Sequence, residues 1–265
     1  MSGWSKARPL EAQTEIIPDE VLGPLVQASL EYIDRYADFL LDANETVAKL
    51  RQHNKERYRF QRLAARYLRE HVLKASNFGD GLCARQLNKE LCYLQTACFV
   101  VIAFATGMRV SELLSLSEGC CEIQTEPGQA DLAWLRSRVF KMQGMPQGRS
   151  AKWLGGPLCA RAVRVLERLG RRTRRQTKSR SLWVPVPPLM NKPREAGPFT
   201  ASTIQYRLEV FVAMLGLKDS NGRPFHLHPH MFRRTFARHV VRYGTTNLLA
   251  VSAGIKRPQI RRFGS

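Results

Sequence analysis

The sequence predicts a mainly α-helical protein with a small antiparallel β-sheet, an α+β fold. Apolar residues recur at the three-to-four-residue spacing of a buried helical face in three long stretches, residues 19–42, 86–104 and 229–243. A shorter stretch, residues 131–141, alternates apolar and polar side chains as a half-buried strand does. With 265 residues, the chain is long enough to bury a hydrophobic core around these elements.

The N-terminal part is predicted to be a short helical region. Residues 1–18 have no periodic pattern and are expected to be a disordered lead. The first helix follows Pro18 and is expected to end near Asp42. The second, residues 45–74, carries arginines between aromatic residues. It therefore either lies on a DNA backbone or is a charged helix of a bundle, and we favour the bundle helix.

A break separates this region from a larger domain. The segment SNFGDG, residues 76–81, is rich in residues that interrupt helices. It predicts a helical N-terminal region at residues 19–80 and a second domain at residues 81–265. The strongly apolar helix at residues 86–104 is expected to form the core of that second domain.

A new amphipathic helix is predicted directly after the apolar one. The pair Thr106 and Gly107 interrupts the chain, and MRVSELLSL follows. Arg109 lies near the N-terminus of this new helix, with Glu112 one turn further on. These two residues form either a structural ion pair or part of a functional site, and their spacing alone fits both.

The chain is then predicted to form a hairpin. The strand at residues 131–141 is followed by the turn MQGMPQG and by RSAKWL, which is expected to return as the partner strand. Helices are expected at residues 157–170, ending at Gly170, and at residues 202–215. Between these helices, RRTRRQTKSR is expected to be a mobile basic loop and SLWVPV a short strand.

The functional prediction centres on FHLHPHMFRRTFARHVVRY, residues 225–243. A helix is expected to begin at Pro229, because proline suits a first turn, with His228 or Leu227 at the cap. A buried face is predicted at the positions that follow with helical spacing, namely Phe232, Phe236, Val240 and Tyr243.

His230 and Arg233 are three positions apart and share one side of the first turn of this helix. An arginine fork and an imidazole at the positive N-terminus of a helix are suited to holding a phosphate. The alternative is that both residues belong to a solvated basic face.

The charge distribution points to a polyanionic partner. The net charge is +20, but residues 1–130 carry 15 basic and 17 acidic residues, whereas residues 131–265 carry 27 and 5. The two halves therefore have net charges of −2 and +22. Nucleic acid is the favoured partner over an anionic membrane, because no lipidation motif or long basic amphipathic helix is present.

Cysteine and histidine patterns give no metal site. The six cysteines contain no C-x-x-C pair, so reduced thiols in the cytoplasm are expected. His226, His228 and His230 alternate, but no acidic or cysteine ligand lies close by in sequence, and contact of His226 and His228 with DNA or solvent is favoured. The longest apolar run, residues 97–105, is about half of a bilayer-spanning length, so no membrane association is expected.

Two motifs in the same order resemble those of the tyrosine recombinases, also called phage integrases. They are ATGMRVSELLSL, residues 105–116, and HMFRRTFA, residues 230–237. The resemblance covers residues 88–256. It implies a tyrosine-recombinase catalytic domain from a phage or mobile element that carries out DNA integration and recombination without a metal or other cofactor.

The resemblance also implies catalytic residues. Arg109, His230 and Arg233 stand at the family's catalytic positions, and the hairpin is expected to carry a lysine that protonates the leaving 5′ oxygen. Lys141 is the first candidate for this lysine, and Lys152 is the reserve. Phosphate contacts that give affinity without sequence choice are expected from a further basic set, namely Arg171, Arg172, Arg174, Arg175, Lys178, Arg180, Arg234 and Lys152.

The C-terminal pattern departs from the family. The third family position, His or Trp, falls at Lys256 or Arg257, and the nucleophilic tyrosine would fall just beyond Ser265. Tyr243 is not nominated, because it lies on the helix of Arg233 at a packing position. We therefore expect a catalytic domain truncated before its nucleophile.

Two functions follow from this departure. The chain is either a recombinase completed by another subunit's tyrosine, or a DNA-binding remnant or regulator without chemistry. Double-stranded DNA is the expected partner in both cases, together with a possible recombinase homo-oligomer on nucleoid DNA in the cytoplasm. No membrane and no small-molecule cofactor are expected.

Overall fold

The computed structural model describes residues 15–54, 56–72, 84–125, 132–140, 148–186 and 199–252, except for the side chains of residues 71, 72, 84 and 243–252. The elements in these ranges are α1 (Asp19–Glu31), α2 (Ala37–His53), α3 (Arg57–Tyr67), α4 (Ala84–Thr106), α5 (Val110–Leu114), β1 (Cys121–Gln124), β2 (Leu132–Val139), β3 (Arg149–Leu154), α6 (Gly156–Thr177), α7 (Ala201–Met214) and α8 (Pro229–Ser252). Helices dominate, and the strands form one small antiparallel sheet. The predicted fold class is therefore confirmed.

The first helical stretch is longer than the sequence predicted. Helical backbone runs from α1 through a π-helical turn, Tyr32–Tyr36, into α2 and on to His53. The expected end near Asp42 is wrong, because the following residues are helix formers without glycine or proline. A second π-helical turn, Leu68–Val72, follows α3.

Part of the predicted disordered lead is ordered. Ile17 is fully buried, and its backbone N–H donates to Thr235 Oγ1 at 3.0 Å. Arg238 of α8 forms an ion pair with Asp19, at the start of α1. These contacts attach the N-terminal segment to α8, the helix with the central motif, so residues 15–18 do not belong to a disordered lead.

The core is built around α4. Its residues from Ala97 to Ala103 are all buried, and they pack between the N-terminal helices and α6, α7 and α8. Residues on both sides of the predicted domain boundary share this single hydrophobic cluster. For example, the hydroxyl of Tyr32 donates to Glu90 Oε2 at 2.8 Å. The boundary itself, near residue 80, lies outside the described residues.

By length and composition, the segment Arg85–Thr106 of α4 is long and apolar enough to cross a membrane, contrary to the expectation from residues 97–105 alone. However, 78% of its most apolar window is buried inside the protein. Because most of this window is covered by protein, α4 is the core helix of the fold.

The sheet contains the predicted hairpin and one strand that the sequence did not indicate. β2 and β3 pair antiparallel, as predicted, and β1 adds to the other edge of β2. The predicted strand at residues 181–186 is wrong. Ser181 forms one isolated bridge with Ser117, and the extended segment after it packs Trp183 into the core.

α6 continues through Gly170, where the sequence predicted its end. Gly170 is buried, and a Cβ atom there would come within 2.7 Å of Val184. The glycine therefore serves a close approach between α6 and the segment after Ser181, not a helix end. α6 ends at Thr177, with Lys178 in a left-handed conformation (φ 54°). The predicted mobile loop at residues 171–180 is thus mostly helix.

Candidate phosphate-binding site

The site begins at the turn between α4 and α5. Gly107 has φ +61°, and its N–H donates to the carbonyl of Ala103 at 3.0 Å, which ends α4. A Cβ atom at this position would overlap the ring of Phe236 on α8. Glycine is therefore required both by the backbone conformation and by the close packing of α8 on the turn.

Glu112 lies directly under this turn. Its side chain is 1% exposed, and its Oε2 accepts the backbone N–H of Arg109 at 2.7 Å. Its Oε1 accepts Nη1 of Arg109 at 2.8 Å. A glutamate at the third helical position that reaches back to the cap N–H is half of a capping box. The glutamate therefore fixes both the start of α5 and the direction of the Arg109 side chain.

α8 brings a second arginine to the same carboxylate. Nη1 of Arg233 donates to the carbonyl of Gly107 at 3.0 Å and lies 3.8 Å from Glu112 Oε2. α8 begins at Pro229, as predicted, and His230 is exposed on its first turn, three residues before Arg233. Of the predicted apolar face of α8, Phe232 is fully buried and holds the helix against the core, whereas Phe236 and Val240 are only half-buried. The side chain of Tyr243, the fourth member, lies outside the described residues.

The resulting cluster is positive and open on one side. Two guanidiniums surround one carboxylate, which leaves a net charge of +1. A buried carboxylate costs several kcal/mol unless it is paired, and the contacts with the two arginines offset this cost for Glu112. The arginine side chains are 27% and 39% exposed. The contacts to Glu112 and Gly107 use Nη1 of each guanidinium, which has five N–H donors in all.

A comparison with known families places most of this part of the chain in one family. Residues 83–251 match the model of the phage integrase family, and this is more than half of the chain. The chain belongs to the phage integrase family. Its function is therefore of the site-specific recombinase and integrase type. No curated protein matches the chain.

In this integrase the hairpin is joined to the arginine cluster through Ser115. The Ser115 hydroxyl donates to the carbonyl of Glu112 at 2.7 Å and accepts the backbone N–H of Arg138 at 2.8 Å. Ser115 was not predicted to be a site residue, because a lone serine after a short helix has no sequence pattern that indicates a function. The link holds β2 beside α5.

One of the two candidate lysines, Lys152, lies in the described part of the hairpin. Lys141 lies outside the described residues, just after β2. Lys152 is on β3, where its Nζ forms an ion pair with Glu122 Oε2 of β1 at 2.9 Å. This contact ties Lys152 to the other edge strand of the sheet.

The predicted DNA-contacting residues differ in how exposed they are. Arg174 is 3% exposed and donates to the carbonyl of Glu167 and to Glu118 Oε1, so it is a structural residue that does not reach a phosphate. Arg171 is exposed but lies 3.8 Å from Glu45 Oε1, and Arg172 is half-buried. The exposed members of the predicted set are therefore Arg171, Arg175, Lys178, Arg180 and Arg234, together with Lys152.

His226 and His228 have protein partners. Nδ1 of His226 lies 3.4 Å from Glu209 Oε1, and Nδ1 of His228 lies 3.0 Å from Gln205 Oε1. Their rings contact each other edge to face. Both residues connect the segment before α8 to α7. Their side chains are also exposed to solvent, which is one of the two environments predicted for them.

Proposed function

We propose that this integrase binds duplex DNA and that Arg109 and Arg233 together hold one phosphodiester of the strand that is exchanged. The observation that carries the proposal is the convergence of these two arginines, from helices far apart in sequence, on the buried carboxylate of Glu112. Glu112 neutralises only one of the two charges and leaves N–H donors for an anion. The protein would act on DNA in the cytoplasm as a homo-oligomer.

The arginines would act by stabilising charge. When a hydroxyl attacks a phosphodiester, negative charge builds on the two non-bridging oxygens. Two partly exposed guanidiniums, held in place by hydrogen bonds to Glu112 and Gly107, donate to these oxygens without a large reorganisation. The positive N-terminus of α8 adds to the same field.

Proton transfer is assigned to His230 and to a hairpin lysine. His230 is placed one turn before Arg233, within reach of a group that Arg233 holds. Lys141, with Lys152 in reserve, would protonate the 5′ oxygen when its bond to phosphorus breaks. In the same step a tyrosine oxygen forms a bond to phosphorus, which gives a 3′-phosphotyrosyl intermediate.

The alternative proposal is DNA binding without chemistry. It is supported by the net charge of +22 in residues 131–265, because phosphate contacts from basic residues hold DNA without a nucleophile. A nicked suicide substrate followed by denaturing electrophoresis separates the two proposals. An adduct that appears only when a second recombinase supplies its tyrosine supports the enzyme. DNA binding with no adduct under either condition supports the regulator.

Binding itself is tested by a salt titration. If six or more phosphates are engaged, affinity for a duplex falls by roughly 10³ or more between 50 and 200 mM salt. Fluorescence anisotropy with a labelled duplex measures this slope. A flat response would remove DNA binding and with it both functions.

The arginine pair is tested by Arg109→Lys and Arg233→Lys. Lysine keeps the charge but lacks the planar fork that holds two oxygens at once. We expect the salt slope to stay within about one of that of the parent, while adduct formation falls by roughly 10²-fold or more. Arg35→Lys is the control. Arg35 lies in the π-helical turn between α1 and α2, so its replacement should leave both measurements unchanged.

A further inference from the structure

A small pocket lies between α4, α7 and the extended segment that follows Ser181. It has an empty volume of about 210 Å³. Pockets for drug-sized molecules measure roughly 300–1,000 Å³, so this pocket suits a smaller molecule. Its lining residues are distinct from the arginine cluster at Glu112, so it is a separate site. Its walls are mainly apolar and are formed by Phe99, Trp183, Phe199, Ile204 and Leu208.

Gln95 of α4 also lines this pocket and brings an unpaired hydrogen-bond acceptor to it. The residue is 3% exposed, and its Nε2 donates to the carbonyl of Val184 at 2.8 Å. This bond fixes the amide, because the reverse orientation would place two acceptors together. Among the residues that the structure describes, the buried Oε1 of Gln95 has no hydrogen-bond partner. A buried acceptor is costly unless a donor reaches it, so the occupant should carry an N–H or O–H group.

Arg207 of α7 brings a positive charge and an unpaired donor to the same pocket. Its Nη1 is buried, and within the described ranges it has no hydrogen-bond partner. Glu209, two residues further along α7, contacts His226 instead. Burial raises the pKa of the Cys92 thiol, which Arg207 contacts, so this thiol stays neutral and does not balance the charge. The guanidinium therefore favours an anion. A carboxylate fits its planar fork and is smaller than a phosphate, which suits the size of the pocket.

The aromatic walls determine the rest of the occupant. Phe99 and Trp183 are each 1% exposed, and their ring centres lie 5.6 Å apart, edge to face. The indole N–H of Trp183 donates to the carbonyl of Leu113, which fixes the ring. Arg207 and Phe199 are only half-buried, with the guanidinium 5.5 Å from the centre of the Phe199 ring. An aromatic body can therefore pack on the inner rings while its carboxylate stays at Arg207, on the side that borders solvent.

We propose that this pocket binds a small aromatic carboxylic acid that carries one hydroxyl or amino group. The carboxylate accepts hydrogen bonds from Arg207, the donor group reaches Gln95 Oε1, and the ring packs against Phe99 and Trp183. This site goes beyond the proposed function, because it requires no DNA and uses no residue of the arginine cluster. Water is the competing occupant, since it both donates and accepts hydrogen bonds, and the experiment has to separate the two.

The first part of the test titrates the full chain with small probes by isothermal titration calorimetry. The para and meta isomers of hydroxybenzoate carry both polar groups, benzoate lacks the hydroxyl, and phenol lacks the carboxylate. For the tighter hydroxybenzoate isomer we expect a dissociation constant of about 1 mM or below, as is ordinary for a molecule of this size. Benzoate should bind about fivefold more weakly and phenol about tenfold more weakly, because each has lost one hydrogen-bonded group.

The second part locates the site by substitution. Arg207→Gln removes the charge, and Arg223→Gln is the matched control, because Arg223 is exposed and does not line the pocket. We expect Arg207→Gln to weaken hydroxybenzoate binding about tenfold and to leave phenol within about twofold, while the control binds like the parent. Gln95→Met keeps the approximate size of the side chain and removes the acceptor, so hydroxybenzoate should bind it no more tightly than benzoate does.

Three results would refute the proposal. If the parent bound neither hydroxybenzoate isomer, the pocket would hold only water. Equal weakening in Arg207→Gln and Arg223→Gln would mean that the acid binds to the basic surface in general. Equal affinity of the parent for all probes would remove both polar contacts. Circular dichroism checks that each variant is folded, and if Gln95→Met is not, the probe series and Arg207→Gln still decide the question. DNA binding is measured separately and does not depend on these results.

Discussion

Helices α3 and α6 are both rich in arginine, yet they use it in opposite ways. α6 has seven arginines and one glutamate and lies in the strongly basic half of the chain, whereas α3 belongs to the half with a net charge of −2. Even so, the arginines of α6 that were expected to bind phosphates include one that is buried and one that lies near a carboxylate, while those of α3 face solvent unpaired in the described structure. Net charge along a chain therefore does not show which charges a partner can reach.

The cause of the difference is the packing of the N-terminal helices. α2 and the π-helical turn before it present a row of carboxylates to α6, namely Asp34, Asp38, Asp42 and Glu45, which we call the carboxylate ladder. Arg168 alone contacts three of its members. In the described structure, no arginine of α3 forms an ion pair with a member of this ladder.

The largest effect that would test this comparison is expected at Arg174. Replacing it by alanine removes a buried guanidinium and its hydrogen bonds to main-chain carbonyls of α6. We expect a loss of about 3 kcal/mol in the free energy of unfolding, measured by chemical denaturation, with no change in the salt slope of DNA binding. Arg62→Ala on α3 is the control, because this arginine is exposed, and its change in stability should stay within about 0.5 kcal/mol.

A smaller effect is expected at Arg168. Arg168→Ala leaves three carboxylates of the ladder without their shared cation. Because the pairs are partly solvent-exposed, the expected loss of stability is about 1 kcal/mol, and it should shrink as salt is raised. Denaturation at 50 and 500 mM NaCl would measure both. A loss of DNA affinity without a loss of stability would mean that Arg168 serves DNA and not the ladder.

The smallest effect concerns the ladder itself. Asp38→Asn with Asp42→Asn removes two exposed carboxylates that repel an approaching polyanion. At roughly 10 Å in water each charge is worth about 0.4 kcal/mol, so removing two charges should raise DNA affinity by about fourfold at low salt. Glu15→Gln with Glu20→Gln is the charge-matched control, since both glutamates are exposed outside the ladder. An equal rise in both variants would show a general charge effect, and α6 would then not be specially shielded.

Burial also explains the chemistry of the cysteines. The described cysteines are free thiols, as predicted, and burial raises the pKa of Cys98 and Cys159 well above its ordinary value. The pKa of Cys120 is raised to about 12, again chiefly by burial. These thiols therefore stay protonated at neutral pH and serve as packing residues in the core.

Much of this protein could be predicted from local patterns. The start of α8 at Pro229, the break at Gly107 and the β2 to β3 hairpin depend on proline, glycine and alternation, whose effects act within a few residues. The motifs around Arg109 and Arg233 identified the family for the same reason, because each is a continuous run of sequence. Predictions failed locally where a residue is determined by a contact with a residue distant in sequence. Gly170 was predicted to end α6, but it is needed for the close approach of α6 to Val184.

Tertiary structure alone decided which charges work together. Arg109 and Arg233 meet at Glu112 only because Phe236 packs on Gly107 and draws α8 onto the α4 to α5 turn. The same kind of long-range packing paired α6 with the carboxylate ladder and left α3 open to solvent. Electrostatic interactions depend on distance and burial in space, and neither quantity is written in the order of the residues.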